Sequence, residues 1–497
     1  MSPNVVFILT DDQGPWAAGC YGNPEIRTPN IDRLAATGVR FDNFFCASPV
    51  CSPARASLLT GTIPSGHGVH DWIRDRNMPP DAVSYLEGQR TYTEILAGHG
   101  YRLGLSGKWH LGDSLTPQAG FTHWFVHQRG GRPYRGAPLV PPGPPVTAPG
   151  YVTDVITDDA LRFIDRAGDA PFYLGVHYTA PHSPWEGHPQ DIVGSYDDCP
   201  FRSCPQEPMH PWATSLTRDC LGNREKLKGY FAAVTAMDLN VGRILDRLEE
   251  RGLRDDTLIV FTSDNGFSCG HHGFWGKGNG TFPLNMYDNS VKVPMIVSHP
   301  ARLPHGGSAG ALVSQYDVMP TLLDYLGVEE PPHSADQAEL PGTSFVPVLE
   351  GEAEEAREDV VVHDEYGPVR MIRTREWKYV HRYPYGAHEL YDLTADPAER
   401  NNLADERSRR PVVDEMRDRL TRWFDRHVDP RLDGTRFPVS GLGQLDRIGR
   451  RTAGDRCFHD AEFRIAASGF PAASTDRAPA PDRHTPPVAA GQTPPLS

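Results

Sequence analysis

The sequence predicts an α/β fold: a large, mostly parallel or mixed sheet sandwiched by helices, followed by a smaller C-terminal antiparallel sheet with one helix. Short apolar segments alternate with amphipathic segments up to about residue 355, as in parallel sheets covered by helices. Polar clusters directly follow several apolar segments, where open α/β sheets place their ligands. Beyond residue 355, short segments close together favour antiparallel strands.

The first part of the chain supplies the strands and helices of the large sheet. Each predicted strand is an apolar run ended by turn residues, at 5–10, 39–45, 101–106, 172–176 and 257–262. The predicted helices cover about 30–38, 90–98, 155–167 and 227–251, with Asn30 as the N-cap of the first. Residues 130–150, rich in Pro and Gly, predict a surface loop, and the irregular segment 186–224 predicts a lid.

The second part predicts a subdomain and a tail. Its strands are expected at 360–363, 369–373, 377–380 and 389–393, and its helix at about 412–427. We therefore predict a catalytic α/β domain at 1–355, a C-terminal α+β subdomain at 356–430 and an extension at 431–497. The Pro, Ala and Thr content after about residue 470 predicts disorder there.

Charge and hydropathy exclude several classes of function. The formal net charge of −15 argues against nucleic-acid binding, so an anionic substrate needs a local basic pocket. No apolar segment reaches membrane length, and no basic region precedes the short apolar run near the N-terminus. We expect a cytoplasmic protein that binds no membrane, and the sequence leaves its oligomeric state open.

The cysteine pattern does not indicate a disulfide framework. Eight cysteines in 497 residues are too few for such a scaffold. Cys199, Cys204 and Cys220, with His210 nearby, allow a zinc site as an alternative, but their spacing matches no common zinc motif. Free or loosely paired loop cysteines are therefore favoured.

The most informative motif is Cys51-Ser52-Pro53-Ala54-Arg55, which runs into the apolar string Ala56-Ser57-Leu58-Leu59-Thr60-Gly61. A cysteine followed by a proline two residues later and an arginine four residues later is an unusual combination. Taken alone, the motif is also compatible with a buried cysteine beside a turn. Its interpretation depends on the polar clusters elsewhere in the chain.

Two acidic clusters follow predicted strands. Asp11-Asp12 ends the first strand, and Asp264-Asn265 follows the strand at 257–262. Either pair alone commonly caps a turn. Together they offer oxygen ligands with net negative charge, which suit Ca²⁺ or Mg²⁺ rather than zinc.

Four basic residues complete the candidate site. Lys108 and His110 follow the strand at 101–106, and strand alternation would place them on one face. His182 lies between two prolines, and Lys277 lies in a glycine-rich loop. Each residue alone is more often structural or solvated, so the set carries the argument.

The motifs together resemble the formylglycine-dependent sulfatases of the alkaline-phosphatase-like superfamily. The matching segments follow the family's order over some four-fifths of the chain: residues 9–14, 28–35, 51–61, 107–112, 180–182, 262–266 and 389–403. In that family a dedicated formylglycine-generating enzyme oxidises the cysteine to an aldehyde. The resemblance implies hydrolysis of an organic sulfate ester, of a small molecule or a carbohydrate, to an alcohol and inorganic sulfate.

The resemblance also implies a role for each matched residue. A divalent cation, Ca²⁺ or alternatively Mg²⁺, would be held by Asp11, Asp12, Asp264, Asn265 and the modified Cys51. Arg55 would orient the hydrated aldehyde, and Lys108 and Lys277 would bind the sulfate oxygens. His182, together with Lys277, would protonate the leaving alcohol. His110 would deprotonate the second hydroxyl of the hydrate after sulfate transfer.

Alternatives remain open at this point. The same scaffold suits a phosphonate monoester or phosphodiester hydrolase, and an unmodified Cys51 would suit a catalytically silent protein that binds sulfated glycans. His177 is an alternative acid or substrate contact. Six further residues are candidates either for the substrate pocket or for packing: His67, His70, Asp71, Trp72, His271 and His272.

Overall fold

The structure is a computed structural model that describes residues 2–131, 133–330, 338–383, 386–448 and 457–459. Within them lie a ten-stranded mixed sheet, a two-stranded ribbon and a four-stranded antiparallel sheet, which confirms the predicted fold class. The strands are β1 (Asn4–Asp11), β2 (Val39–Phe45), β3 (Arg102–Gly107), β4 (His123–His127), β5 (Pro138–Val140), β6 (Val146–Thr147), β7 (Phe172–Pro181), β8 (Thr257–Ser263), β9 (Ser268–Cys269), β10 (Trp275–Gly276), β11 (Lys292–Ser298), β12 (Gly307–Ser314), β13 (Val360–Asp364), β14 (Val369–Arg373), β15 (Trp377–Arg382) and β16 (Glu389–Asp392).

The helices surround these sheets. They are α1 (Pro29–Ala36), α2 (Cys51–Thr60), α3 (Pro64–His67), α4 (Tyr92–Gly98), α5 (Val152–Asp165), α6 (Gln190–Gly194), α7 (Ser215–Cys220), α8 (Arg224–Glu250), α9 (Asp288–Val291), α10 (Val318–Leu326), α11 (Val346–Leu349) and α12 (Arg410–His427). In the part of the chain that the structure describes, no helix combines the length and the apolar character needed to cross a membrane.

The centre of the large sheet is parallel. The strand order is β12-β2-β11-β8-β1-β7-β3-β4-β5-β6, and the run from β8 to β4 pairs in parallel throughout. The carboxyl ends of these central strands therefore meet at one edge. The loops that follow β1, β3 and β8 all begin there, which is how distant segments of the chain come together.

Alternation along β1 divides the hydrophobic core into two layers. Val5, Phe7 and Leu9 pack on one side with α2, α4 and α10, whereas Val6 and Ile8 pack on the other side with α1, α5 and α8. Burying one such side chain contributes roughly 1.5–3 kcal/mol, so packing on both faces holds this strand firmly in place.

The C-terminal sheet has its own core. Helix α12 packs Met416, Leu420 and Phe424 against Val361 and Ile372 of β13 and β14. The buried Lys378 of β15 forms ion pairs with Asp288, at 2.5 Å, and with Glu399. The described residues form one compact unit, and the domain boundary at 355 stays a prediction.

Some local predictions differ from the structure. Helix α1 begins at Pro29, so Thr28 and not Asn30 is its N-cap; the Asn30 side chain instead donates to Asp238 at 2.9 Å. The predicted loop at 130–150 contains β5 and β6, which extend the sheet, and segment 186–224 contains α6 and α7. The predicted disorder after 470 lies outside the described residues.

Candidate active site

The candidate site lies at the carboxyl edge of the large sheet, beside the N-terminus of α2. Asp11 is the last residue of β1, Asp264 follows β8, and Lys108 follows β3. Cys51 is the first residue of α2, whose ten residues are all buried. The structure therefore brings together segments that are more than 250 residues apart in the sequence.

Carboxylates and the Cys51 thiol form a compact cluster. Each of four buried side chains offers one potential ligand atom within 4.8 Å of the others: Asp11, Asp12, Cys51 and Asp264. Asn265 Nδ2 donates to Asp12 Oδ1 at 2.7 Å, while its buried Oδ1 has no hydrogen-bond partner among the described residues. Clustered carboxylate oxygens with an unpaired amide oxygen beside them fit a hard divalent cation.

The Cys51 thiol lies between a carboxylate and an ammonium group. Its Sγ donates to Asp11 Oδ1 at 3.3 Å and accepts from Lys277 Nζ at 2.7 Å. Burial, followed by the charge of Asp11, raises the pKa of this thiol far above its ordinary value. Because only the thiolate is strongly nucleophilic, the unmodified side chain is a poor nucleophile at neutral pH.

Arg55 connects helix α2 to the segments that follow β3 and β8. It lies one helical turn after Cys51, and its Nε donates to Asp264 Oδ2 at 2.9 Å, with the two side chains 2% and 0% exposed. Its Nη1 donates to the carbonyl oxygen of Lys108 at 3.0 Å. A single guanidinium thus fixes the relative position of α2, β3 and β8.

Two lysines flank the acidic cluster. Lys108 Nζ lies 2.6 Å from Asp11 Oδ2, and Lys277 Nζ lies 2.6 Å from Asp12 Oδ1. Burial raises the pKa of Asp11, but the charges of Lys108 and His182 outweigh it and lower that pKa to about 2. The carboxylate is therefore ionised at neutral pH, and the lysines provide positive charge next to Asp11 and Asp12.

His110 and His182 present different ring nitrogens to the site. His110 Nε2 donates to the Ile73 carbonyl at 2.9 Å, and its Nδ1 finds no partner in the described part of the chain. Burial, then Lys108 and Arg55, lower the pKa of His110 well below its ordinary value. Its Nδ1 is therefore a free lone pair at neutral pH.

His182 lies at the solvent side of the site. Its Nδ1 donates to the Ser183 carbonyl at 2.7 Å, and its Nε2 lies 3.7 Å from Asp12 Oδ2, with the side chain 20% exposed. Burial lowers the pKa of His182, whereas Asp12 and Asp11 oppose that shift. Nε2 is thus the nitrogen that can exchange a proton with a bound molecule.

The structure does not support His177 as an alternative acid. β7 continues to Pro181, so His177 lies inside the strand and not at its end. Its ring packs close to Gly175 and edge-on to Phe7, and its Nδ1 donates to the Lys108 carbonyl at 3.2 Å. This histidine belongs to the core behind the site.

The remaining candidates make structural contacts. His67 and His70 bond to Ser57 and to the Leu432 carbonyl, and Asp71 accepts from the backbone of Trp72. The Trp72 indole donates to the Gly441 carbonyl.

The histidines that follow β9 turn toward other segments. His271 donates to the Ser203 carbonyl, and His272 stacks on Tyr287 with 3.8 Å between the ring centroids.

The zinc alternative finds no support in the described residues. The groups there with metal-ligand geometry all belong to the cluster around Cys51. Cys204 and Cys220 are buried in an aromatic cluster with Trp185 and Phe231.

Sequence reasoning missed several residues of the site. His127 ends β4 next to β3, and both its ring nitrogens are buried with no partner within the residues that the structure describes. Burial, then Lys108, lower the pKa of His127 to about 3. Tyr230 donates to the Asp12 carbonyl at 2.9 Å, and Gln315 to the Asp264 carbonyl at 2.7 Å. The sequence signal for His127 was a polar residue at the end of a strand. Tyr230 and Gln315 had no such signal, because they reach the site from distant elements.

Comparison with protein families decides the classification. The Sulfatase family model matches residues 3–328. The chain belongs to the sulfatase family. A second model, described as N-sulphoglucosamine sulphohydrolase, C-terminal, matches residues 270–426 of this sulfatase.

Named relatives agree with this assignment. The sulfatase is 29% identical over 485 residues to the N-acetylglucosamine-6-O-sulfatase of Bacteroides thetaiotaomicron, covering 81% of this chain and 82% of that protein. It is 30% identical over 428 residues to the ulvan-active sulfatase of Formosa agariphila, covering 81% and 77%. A solved protein in complex with its substrate D-glucosamine-2-N,6-O-disulfate superposes with a TM-score of 0.74 at 27% identity, covering 87% of this chain and 99% of that one. The chain is therefore a sulfuric ester hydrolase.

Proposed function

We propose that this sulfatase hydrolyses sulfate esters of carbohydrates, with Cys51 converted to formylglycine and a divalent cation bound beside it. The observation that carries the proposal is the position of Cys51, between Asp11 and Lys277 at the start of α2. Its raised thiol pKa makes cysteine chemistry ineffective there. The surrounding charged groups suit the hydrate of formylglycine as the nucleophile at this position.

The cation site is supported by its donor set. Asp11, Asp12, Asp264 and Asn265 Oδ1, which has no partner in the described part of the chain, would hold the ion, and we expect Ca²⁺, with Mg²⁺ as the alternative. When bound, such an ion neutralises negative charge that develops during transfer.

The protein's own cations would bind the sulfate group. Lys277 contacts the residue 51 side chain, Lys108 pairs with the neighbouring Asp11, and both lysines are buried. Preorganised positive charge in a buried site stabilises a transition state more than it would in water. We assign both lysines to the sulfate oxygens and Arg55 to holding residue 51.

The two histidines would transfer protons in different steps of the reaction. His182 holds Nδ1 on the Ser183 carbonyl, which leaves Nε2, 3.7 Å from Asp12 Oδ2 on a side chain that is 20% exposed, to protonate the oxygen of the leaving alcohol. His110 presents an Nδ1 that has no partner among the described residues, and it would accept the proton from residue 51 that allows sulfate to leave.

The relatives support a sulfated sugar as the substrate. They include an N-acetylglucosamine-6-O-sulfatase, and one solved neighbour binds a glucosamine disulfate. The net charge of −15 disfavours a long, highly sulfated polymer, because the whole chain would repel it.

Mass spectrometry tests the modification directly. Trypsin should release residues 41–55, which contain Cys46 as well as Cys51, so Cys46 is an internal control. In protein produced with a formylglycine-generating enzyme, fragment ions should place a loss of about 18 Da on residue 51 alone. An unmodified thiol at both positions would contradict the proposal.

A substrate panel tests the reaction class. The modified protein is assayed with p-nitrophenyl sulfate, glucosamine 6-O-sulfate and bis(p-nitrophenyl) phosphate. We expect turnover of the sulfates and higher efficiency with the sugar sulfate. A higher efficiency with the phosphodiester would favour the phosphodiester hydrolase instead.

A further inference from the structure

We propose that Tyr134 is a positioning residue for His182. This inference rests on the proposed function, in which His182 protonates the leaving alcohol. Tyr134 lies in the connection between β4 and β5, and its hydroxyl donates to the His182 carbonyl at 2.8 Å. It reaches the histidine from a segment that belongs to neither β7 nor the turn after it.

The backbone around His182 is held at several points. The His182 amide donates to the Thr179 carbonyl at 2.9 Å, and the ring donates to the Ser183 carbonyl at 2.7 Å. Both contacts are local and move together with the turn. The Tyr134 hydroxyl comes from outside this turn, and its bond to the His182 carbonyl therefore fixes the position of His182 relative to the connection between β4 and β5.

Tyr134 is itself rigidly held. It is 3% exposed, stacks on Tyr151 with 5.5 Å between ring centroids, and meets His188 edge-on at 4.4 Å. The Tyr151 hydroxyl and His188 Nδ1 are hydrogen-bonded at 2.9 Å. Packed aromatic rings with paired polar atoms leave the Tyr134 hydroxyl little freedom.

The same connection also contacts the other groups of the site. A Cβ on Gly130 would lie 2.6 Å from His110 Nε2, and a Cβ on Gly131 would lie 2.4 Å from Thr179 Cγ2. Glycine at both positions allows the backbone to approach this closely. A segment that touches the proposed base thus also anchors the proposed acid.

The test exploits the basicity of the leaving group. The p-nitrophenolate ion departs without protonation, whereas the alkoxide of a sugar needs an acid. Losing one buried hydrogen bond costs about 1 kcal/mol, which corresponds to about fivefold in rate. Tyr134→Phe should lower kcat/KM for the sugar sulfate about fivefold and for p-nitrophenyl sulfate less than about twofold.

Tyr178→Phe is the matched control. Tyr178 is buried in the same core layer, and its hydroxyl pairs with Thr157 Oγ1 at 2.7 Å without contacting His182. Tyr178→Phe should change kcat/KM for both substrates by the same factor. If Tyr134→Phe does not fold, Tyr151→Phe, which loosens His188 behind Tyr134, should show the same leaving-group dependence in weaker form.

A double-mutant cycle completes the test. In a His182→Ala background, Tyr134→Phe should have no further effect on the sugar sulfate, because coupled residues act non-additively. Equal losses with both substrates, or an undiminished effect without His182, would overturn the proposal. If the parent cleaves phosphodiesters instead, the proposed function fails, whereas aryl and alkyl phosphodiesters still test Tyr134 in the same way.

Discussion

Replacing Lys108 with Met should destabilise the protein strongly at neutral pH. Lys108 and Asp11 are 1% and 0% exposed and lie 2.6 Å apart, and Met fills a similar volume without the charge. Removing one partner of a buried ion pair costs about 3–5 kcal/mol, because the remaining charge is unpaired.

The pKa of Asp11 gives an independent magnitude. It falls from 3.8 to about 2 in the folded protein, which corresponds to roughly 2–3 kcal/mol. Because the folded pKa is the lower one, this stability is present above pH 4 and is lost as the pH falls toward 2. The loss in Lys108→Met should therefore be larger at pH 7 than at pH 3.

Urea unfolding in the presence of EDTA measures this effect. Lys226→Met is the control, because Lys226 and Glu186 form an ion pair at the surface, 27% and 60% exposed, and such pairs contribute at most about 1 kcal/mol. Adding Ca²⁺ should stabilise Lys108→Met more than the parent, because the ion replaces the missing positive charge beside Asp11. A loss below about 1 kcal/mol in Lys108→Met, equal to that of the control, would refute the reasoning.

Three further predictions concern residue 51, the cation and the base. Cys51→Ala should fold normally and lose turnover by at least about a thousandfold, as nucleophile deletions do; near-parent rates would contradict the assigned role. Ca²⁺ or Mg²⁺ at a hundred times its dissociation constant should raise the parent's stability by about 2.7 kcal/mol in thermal unfolding, and Asp264→Asn should show much less gain if the cluster is the binding site. Gly130→Ala should lower kcat about tenfold to a hundredfold, because the new Cβ would displace the His110 ring. Gly150→Ala, whose Cβ would meet only Val155 at 3.9 Å, should be nearly neutral; equal effects of the two would argue against His110 as the base.

The acidic cluster was predictable because its signals are local. Asp11 ends one apolar strand and Asp264 follows another, and parallel strands carry such residues to one edge whatever their separation in sequence. Lys108 was predicted for the same reason. The alternation argument for Lys108 and His110 does not apply, however, because β3 ends at Gly107.

Other features depend on contacts that the sequence does not display. His177 was a candidate acid because the strand at 172–176 was expected to end before it, but pairing with β1 carries β7 on to Pro181. The roles of Tyr134 and Tyr230 arise from single hydrogen bonds to backbone carbonyls of other segments. No periodicity or spacing in the sequence predicts such bonds.

The burial of Cys51 also bears on when the enzyme acquires activity. The side chain is 4% exposed and lies beneath Lys277 once the chain has folded. Under the proposed function, a modifying enzyme would have to reach this residue earlier, while α2 is still detached from the sheet, so that modification would compete with folding for each newly made chain. The active fraction of a preparation then reflects the outcome of that competition during synthesis. Slower folding should increase it, whereas adding the modifying enzyme to the finished protein should not.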